Sequence, residues 1–433
     1  MTELRIKAQY ALDILKAGGA DNAKATATRS EVREFNVDNG VFSLYRTLYG
    51  FSMGLTVLKE GKKGSASGNS PEEADINALC GECLSVAEAG EADDAYTLAA
   101  ENRQADFSSG TPHCEEERLF DRCKELLEDI KREFPLIVIE QLIVKHRRVQ
   151  AVTADLSGTL YTETAGAYSL SLMYSAHEGD KTSSFFGSGV WTDSLHKPFI
   201  ELARIRAELG EVERQIETAP VEGKFVGTVI CPPSALESLL YDALGNFAGG
   251  GAVLDRTTPW IDSLGKQVAD SRLTVSSLPY DSRIVTGDSI GGEGFINEDC
   301  TVIKDGVLQT FLLNRYLSKK TGFAHAGNLC GSYVVEAGDV PLAEMIKGVK
   351  RGLWVGRLSG GSPASNGDFS AVAKNSFLIE DGRLCGAVSE TMINGNLKDM
   401  LMNIGDISAE QVCDGNTVLP YISFKNITIS GKS

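Results

Sequence analysis

A chain of 433 residues is long enough for two domains of ordinary size, each with its own apolar core. Hydrophobic residues make up 42% and charged residues 23% of the chain, a composition that is typical of folded globular proteins and excludes a disordered one. The 42 basic and 59 acidic side chains give a net charge of -17, which repels a phosphate backbone, so we expect no nucleic acid as a partner.

The sequence predicts a cytoplasmic protein that does not enter a membrane. Its best apolar stretch, residues 134–144, is interrupted by two polar residues and is shorter than the roughly 20 residues that span a bilayer. The first residues read as an amphipathic helix without the apolar centre of a signal peptide. Nine cysteines, an odd number at irregular spacing, indicate reduced thiols.

Cys80 and Cys83 form the one Cys-x-x-Cys pair, which suits half of a zinc site or a redox pair. Zinc needs a second pair of ligands, and Cys114 and Cys123 do not have that spacing. Burial in a helix is therefore the favoured interpretation, with a metal or redox role as the alternative.

The beginning of the chain predicts helices that alternate with extended segments. Apolar residues at helical spacing over residues 4–15 predict a helix that ends at Gly18-Gly19. Residues 23–57 predict strands joined by a turn at residues 38–40. The sequence of residues 70–73 matches a helix-capping box with proline at the first helical position, so we expect a helix to start there.

The rest of the N-terminal half continues this alternation. Residues 88–111 predict a loop with a short helix, and residues 119–130 predict a stronger amphipathic helix. Extended segments over residues 136–191 precede another helix at residues 202–216. The turn-forming residues 219–223 end that helix and mark the predicted domain boundary.

The second half predicts mainly strands. Residues 225–231 predict a buried strand, and two hairpins at residues 301–308 and 376–384 each contain an Asp-Gly turn. Strands grouped with few helices between them favour antiparallel sheet. We therefore predict an α+β protein with an N-terminal mixed domain, residues 1–219, and a β-rich C-terminal domain, residues 220–433.

The sequence lacks the familiar catalytic motifs. No histidine has another three to five residues away, as a helical metal pair requires, and His177-Glu178 is favoured as a turn or surface pair. A Gly-x-Ser-x-Gly nucleophile motif and a phosphate-binding loop are also missing. Gly249 and Gly250, with Gly360 and Gly361, are either ordinary turn glycines or loops that let a peptide backbone approach closely.

The most informative segment is a helix that opens directly after the buried strand, with Ser234 and Glu237 as a predicted capping box. Here the chain resembles the TldD/PmbA family of metallopeptidases, whose catalytic branch carries Leu-Leu-His-Glu-x-x-Gly-His on this helix. Tyr241 and Asn246 stand where that branch has its two metal-binding histidines, and Asp242 stands where it has the glutamate general base.

Four further segments resemble the PmbA branch of this family, also called TldE: residues 259–267, 303–308, 325–328 and 393–400. The likeness is strong over residues 220–433 and weaker before them. With the glycine loops above, His325 and Asn328 are our candidates for loops that border a peptide cleft.

The departures from the catalytic branch have a chemical consequence. Zinc needs imidazole, thiolate or carboxylate ligands and an open position for water, which a phenol with a pKa near 10 and a neutral amide do not provide. Two residues five apart on a regular helix also point about 140° apart. Cys413 lies near the position of the catalytic branch's third ligand, a C-terminal cysteine, although an ordinary buried thiol is the favoured interpretation. We expect no cofactor in this chain.

The resemblance implies a non-metal subunit that pairs with a TldD-like, zinc-carrying subunit to bind and cleave unfolded or leader peptides. Two alternatives stay open: an enzyme that acts alone with another ligand set, and a stand-alone peptide-binding or regulatory protein, to which the family label of modulator of DNA gyrase belongs. Whether the chain also forms a homo-oligomer stays open as well.

Overall fold

The computed structural model describes residues 1–431 and confirms an α+β architecture. Its helices are α1 Thr2–Ala17, α2 Glu73–Ala89, α3 Glu116–Glu133, α4 Ile205–Glu213, α5 Pro233–Phe247, α6 Gly250–Leu254, α7 Arg315–Thr321, α8 Leu342–Lys347 and α9 Leu397–Met402, with a 3-10 turn at Phe199–Glu201. None of the helices within the described residues is long and apolar enough to cross a membrane.

The first sheet lies entirely before residue 193. Its strands are β1 Asn22–Asp38, β2 Val41–Lys59, β3 Lys62–Gly68, β4 Gln104–Gly110, β5 Ile137–Asp155, β6 Leu160–Glu178, β7 Lys181–Thr182 and β8 Phe186–Thr192. They run in the order β3-β2-β1-β5-β6-β4, and β7 and β8 also pair with β6. Four strands of 17 to 19 residues therefore form a long antiparallel platform, with β4 as its parallel edge.

The second sheet contains the remaining strands. They are β9 Thr218–Pro220, β10 Lys224–Cys231, β11 Val275–Ser277, β12 Cys300–Lys304, β13 Val307–Leu308, β14 Tyr333–Val335, β15 Arg351–Trp354, β16 Arg357–Ser359, β17 Asp368–Lys374, β18 Ser376–Glu380, β19 Arg383–Ser389, β20 Met392–Asn396, β21 Ile404–Cys413 and β22 Val418–Ser430. β22 is central, since it pairs with β10, β14, β20 and β21.

Each sheet has its own apolar core. One cluster packs α5 against the second sheet around Phe247, Trp260 and Phe424. In the first half, α3 and α4 cover one end of the sheet, and α1 and α2 cover the other end. The predicted boundary between two domains at residue 220 stays a prediction. The two halves of the chain have separate cores, but they also contact each other. Trp191 N–H, for example, donates to Asp414 O at 2.6 Å.

Several predicted elements are confirmed. Both Asp-Gly hairpins form, and the aspartates Asp305 and Asp381 have φ near +50°, as a type I′ turn requires. Cys80 and Cys83 are fully buried on α2, and burial raises the pKa of each thiol to about 11, which agrees with the helix-core interpretation.

Three predictions of local structure were wrong. Residues 104–110 form strand β4 instead of a short helix, because they pair with β6, a partner that is remote in sequence. Helix α2 starts at Glu73, and Ser70 bonds to the Asp75 carboxylate instead of capping the helix. Helix α4 is shorter than expected and ends at Glu213.

Candidate functional site

Helix α5 begins without the predicted capping box. Pro232 precedes the helix and Pro233 is its first residue, where proline's fixed φ and missing N–H cost nothing. No side chain caps this end, so the prediction for Ser234 and Glu237 was wrong. Glu237 is instead within hydrogen-bonding reach of the Asn416 side chain. Asn416 belongs to residues 414–417, which lie against α5 and are called the crossing segment below.

Tyr241 faces the same crossing segment. Its hydroxyl donates to Gly331 O at 2.6 Å, and its ring packs edge-on against Tyr333 with centroids 5.1 Å apart. The side chain of Asn416 also reaches the phenol. Burial raises the pKa of Tyr241, so the phenol stays protonated at neutral pH and acts as a hydrogen-bond donor.

The other two predicted helix positions have different surroundings. Asp242 is exposed, and partial desolvation raises the pKa of its carboxyl group. Asn246 Nδ2 donates to Pro363 O at 3.5 Å, so its amide faces the loop that contains Gly360 and Gly361. Gly361 is essential to that loop, because φ is +64° and an added Cβ would lie 1.6 Å from Ser370 O.

The segment after Cys413 is fixed between the two halves. The Asp414 carboxylate accepts from Asn416 N at 2.8 Å and Thr417 N at 2.6 Å, which forms a tight turn. Gly415 has φ of +84°, and an added Cβ would lie 2.1 Å from Trp191 O. Only glycine therefore fits where this turn meets strand β8.

Cys413 itself is a hydrogen-bonded thiol. Its Sγ donates to Arg283 O at 3.2 Å, and burial raises its pKa above the ordinary value. This thiol would have to lose its proton and its bond to Arg283 before it could bind a metal.

Together these residues do not fit a zinc site. Tyr241 and Asn246 bond to different loops, at Gly331 and Pro363, and α5 is a continuous helix between them. Within residues 1–431, no three His, Cys, Asp or Glu side chains group as a metal site requires. The structure thus brings Tyr241 to the segment that follows Cys413, whereas the Asn246 side chain points to the loop at Pro363.

A cavity of about 450 Å³ opens beside this site, between the first sheet and the C-terminal half. It is bordered by β8, by Glu237 of α5, by Asp414 and Asn416, and by the buried side chain of Arg204. A second cavity of about 320 Å³ shares Trp191 and Asn416 with the first. The crossing segment therefore lies between two neighbouring openings.

Three acidic side chains border the first cavity, Glu208, Glu237 and Asp414, and the last two interact with each other. Burial, together with the nearby charge of Asp414, raises the pKa of Glu237 from 4.5 to about 7, and the bond to Asn416 opposes that rise. Glu237 is therefore close to half protonated at neutral pH. It can act as a hydrogen-bond donor or acceptor toward anything that enters the cavity.

The free edge of strand β8 opens into the same cavity. Among the described strands, β8 pairs only with β6. Trp191 N–H points away from β6, toward Asp414 O, and backbone groups alternate in direction along a strand. Gly187 and Gly189 therefore point their N–H and C=O groups outward as well. Both glycines are exposed and border the cavity.

The remaining predicted cleft residues lie elsewhere. Gly249 pairs with Leu312, and Gly250 packs on the same segment. His325 and Asn328 border a separate cavity of about 350 Å³. The Asn328 side chain is 3% exposed and holds neighbouring loops together, accepting from Ser277 Oγ at 2.6 Å and donating to Glu298 O at 2.7 Å.

Sequence reasoning missed Glu237, Asn416 and the β8 edge as site residues. The one available signal was Phe-Gly-Ser-Gly-Val-Trp, residues 186–191, in which glycines alternate with larger residues. Alternating glycines mark places where another backbone approaches closely.

Comparisons with known proteins identify similar sequences and a similar fold. Residues 223–431 match the family model described as the PmbA/TldA metallopeptidase C-terminal domain. Metalloprotease PmbA of Escherichia coli O157:H7 is 31% identical over 196 residues, which is 45% of this chain and 43% of the relative. A zinc metalloprotease TldD homolog of Saccharolobus solfataricus is 25% identical over 296 residues, 61% of this chain and 65% of the relative.

The whole chain matches a solved structure in fold. The crystal structure of TldE from Thermococcus kodakarensis superposes with a TM-score of 0.85 at 18% identity, covering 98% of this chain and 100% of that one. The sequence matches, in contrast, cover about half the length of the curated relatives. Residues 223–431 therefore resemble the C-terminal domain of the PmbA/TldA metallopeptidases, and the whole chain has the fold of TldE.

Proposed function

We propose that this chain is a PmbA/TldE-like subunit that binds unfolded or leader peptides without holding a metal, and that it acts in proteolysis with a TldD-like, zinc-carrying partner. The observation that carries the proposal is the free edge of β8 at Gly187 and Gly189, which opens into the cavity beside α5.

A strand edge recognises a peptide through its backbone. An extended peptide that adds to β8 gains main-chain hydrogen bonds from the outward groups of Gly187 and Gly189. Glycine at both positions leaves room for side chains of any size. This mode binds extended chains with little dependence on their sequence, as an unfolded substrate requires.

The lack of a metal site supports a division of labour between two subunits. Tyr241, Asn246 and Cys413 are engaged in hydrogen bonds to carbonyl groups. A zinc-bound water for peptide hydrolysis would therefore come from the partner. All nine cysteines are free, which suits the reducing cytoplasm that we propose as the compartment.

The peptide site is tested with Gly189→Pro. Proline removes the outward N–H, and β6 does not use that group, so the sheet itself should persist. We expect an unstructured fluorescent peptide to bind about five- to tenfold more weakly, as measured by anisotropy.

The matched control is Gly189→Ala, which keeps the N–H. Its Cβ would lie 3.8 Å from Leu170 O, an ordinary contact. Equal peptide affinity for the proline variant and the alanine variant would contradict binding at this edge.

The partnership is tested by metal analysis and by peptidase assays with and without a catalytic sibling. We expect cleavage only by the pair, and zinc only in the sibling. Chelator-sensitive proteolysis by the isolated chain would overturn the proposed division of labour. Peptide binding with no cleavage even beside the sibling would favour the stand-alone binding protein.

A further inference from the structure

The cavity of about 350 Å³ that His325 borders lies where the first sheet meets three loops of the C-terminal half. Its lining comes from Lys63 on β3 and from residues within 291–298, 313–315 and 325–329, and we call it the loop cavity. Its volume is in the range of sites that hold small ligands. It shares no lining residue with the cavity beside α5, so it is a separate place to bind.

Three basic side chains at the loop cavity are not neutralised by ion pairs. Lys63 and Arg315 border it, and Lys24 reaches it from β1, where its ammonium group donates to Gly292 O. Within residues 1–431, none of these three cations forms an ion pair. A chain of net charge -17 repels anions over most of its surface, so these cations mark a place where an anion is attracted.

The acidic residues of the loop cavity leave part of this positive charge uncompensated. Both carboxylate oxygens of Glu293 accept backbone N–H bonds, from Arg315 at 2.9 Å and from Tyr316 at 3.1 Å. Glu298 also borders the cavity and is exposed. Three cations therefore face two carboxylates, which leaves one positive charge for a ligand.

The two lysines are close enough to repel each other. Burial, and then the charge of Lys63, lower the pKa of Lys24, and Glu293 opposes that shift only in part. The Lys24 side chain packs against Gly294, where an added Cβ would lie 3.1 Å from Lys24 Cδ. An anion beside the two ammonium groups would relieve their repulsion.

Arg315 is oriented for a planar anion. Its guanidinium group stacks over the Phe295 ring, with Cζ 3.8 Å from the ring centroid. A stacked guanidinium keeps the N–H groups at its edge available, and a carboxylate matches that edge with two parallel hydrogen bonds. Gly292 is exposed and has nothing within 4 Å of an added Cβ, so the neighbouring loop leaves room for the ligand.

We propose that the loop cavity binds a carboxylate group, which Arg315 holds at two points and which Lys24 and Lys63 attract. The single uncompensated charge favours a carboxylate over a doubly charged phosphate, which the carboxylates of Glu293 and Glu298 would repel more strongly. The carboxylate belongs either to the C-terminus of a peptide or to a small organic acid. The peptide source rests on the proposed function, whereas the site itself does not.

Ligand-observed NMR with acetate on the purified full chain tests the site. We expect acetate to bind, and Lys63→Gln and Arg315→Gln should each weaken its binding about tenfold. Lys63 is exposed, so its variant should fold like the unchanged chain. The matched control is Lys398→Gln, which removes the same charge at an exposed position of α9 and should bind acetate normally. Absence of acetate binding, equal weakening by all three variants, or tighter binding of inorganic phosphate than of acetate would overturn the proposal.

Two acetylated peptides that differ only in a free or an amidated C-terminus identify the source of the carboxylate. If the source is a peptide, the free carboxylate should bind about tenfold more tightly than the amide, and Arg315→Gln should abolish that preference. Equal binding of the two peptides, with acetate still dependent on Arg315, would assign the site to a small organic acid. A preference that Arg315→Gln leaves intact would contradict binding in this cavity.

Gly189→Pro separates this site from the β8 edge. It should weaken both peptides by the same factor and leave their ratio unchanged. Loss of the carboxylate preference through Arg315→Gln, without any effect of Gly189→Pro, would therefore support the loop cavity and count against peptide binding at β8.

Discussion

The carboxyl group of Glu237 makes the stability of this protein depend on pH. Its pKa is raised from 4.5 to about 7, mainly by burial beside the cavity and then by Asp414. Between these two pH values, the folded protein holds a proton that the unfolded chain has released. The contribution of the protonated Glu237 to the free energy of unfolding is therefore complete below about pH 4.5, and it is lost as the pH rises to about 7.

The magnitude follows from the size of that rise. A fully buried carboxyl group with this pKa would lose about 3 kcal/mol across the window. Part of the Glu237 side chain reaches solvent, so we reduce this figure to about 1.5 kcal/mol. Glu237→Gln keeps the shape and cannot ionise, so it should equal the unchanged protein at pH 4.5 and exceed it by about 1.5 kcal/mol at pH 8.

Urea unfolding of both proteins at a series of pH values measures this difference. The urea midpoints of the two proteins should begin to differ above pH 4.5, and the difference should grow until about pH 7. The slope m should stay the same, since both proteins expose the same surface on unfolding. Glu91→Gln, at an exposed position, is the matched control and should give no such difference. A constant offset between Glu237→Gln and the unchanged protein at all pH values would refute the reasoning.

Two further predictions concern helix α5 and the segment that crosses it. Gly415→Ala should cost at least 2 kcal/mol in thermal unfolding, because the Cβ would collide with Trp191 O at positive φ, whereas Gly245→Ala, with nothing within 4 Å, should be neutral or slightly stabilising. The triple variant Tyr241→His, Asp242→Glu and Asn246→His should bind zinc in calorimetry, but only weakly, because the regular helix must distort before two imidazoles about 140° apart converge. Adding Cys413→Ser should weaken zinc binding further. A folded triple variant that binds no zinc would contradict the assignment of Tyr241 and Asn246 to the positions of the two metal-binding histidines.

Local turn chemistry explains which parts of the fold could be predicted. Asp305-Gly306 and Asp381-Gly382 specify hairpins because few other pairs adopt positive φ at two successive positions. The capping box at Ser234 failed because Pro232 and Pro233 already determine the start of α5. A match of side-chain types at cap spacing does not predict a cap when proline fixes the backbone nearby.

The parts that failed depend on contacts between remote residues. Strand β4 has a polar sequence and forms only because β6 offers a parallel partner. The β8 edge depends on sheet order, whereas the alternating Gly187 and Gly189 indicate only that another backbone approaches closely. Glu237 was interpreted as a helix cap, since nothing local indicates that Asn416 would cross the helix at this point.

The crossing segment links the free edge of β8 to Glu237. Gly415 and Asp414 contact Trp191 at the end of β8, and Asn416 reaches Glu237 on α5. A peptide backbone on the β8 edge would therefore extend into the cavity that Glu237 borders, at a distance set by a rigid turn. Backbone pairing alone is insensitive to pH, whereas a peptide amine near Glu237 would favour the ionised carboxylate. Under the proposed function, this geometry would place backbone binding along β8 and a charge preference near Glu237, at one end of the peptide.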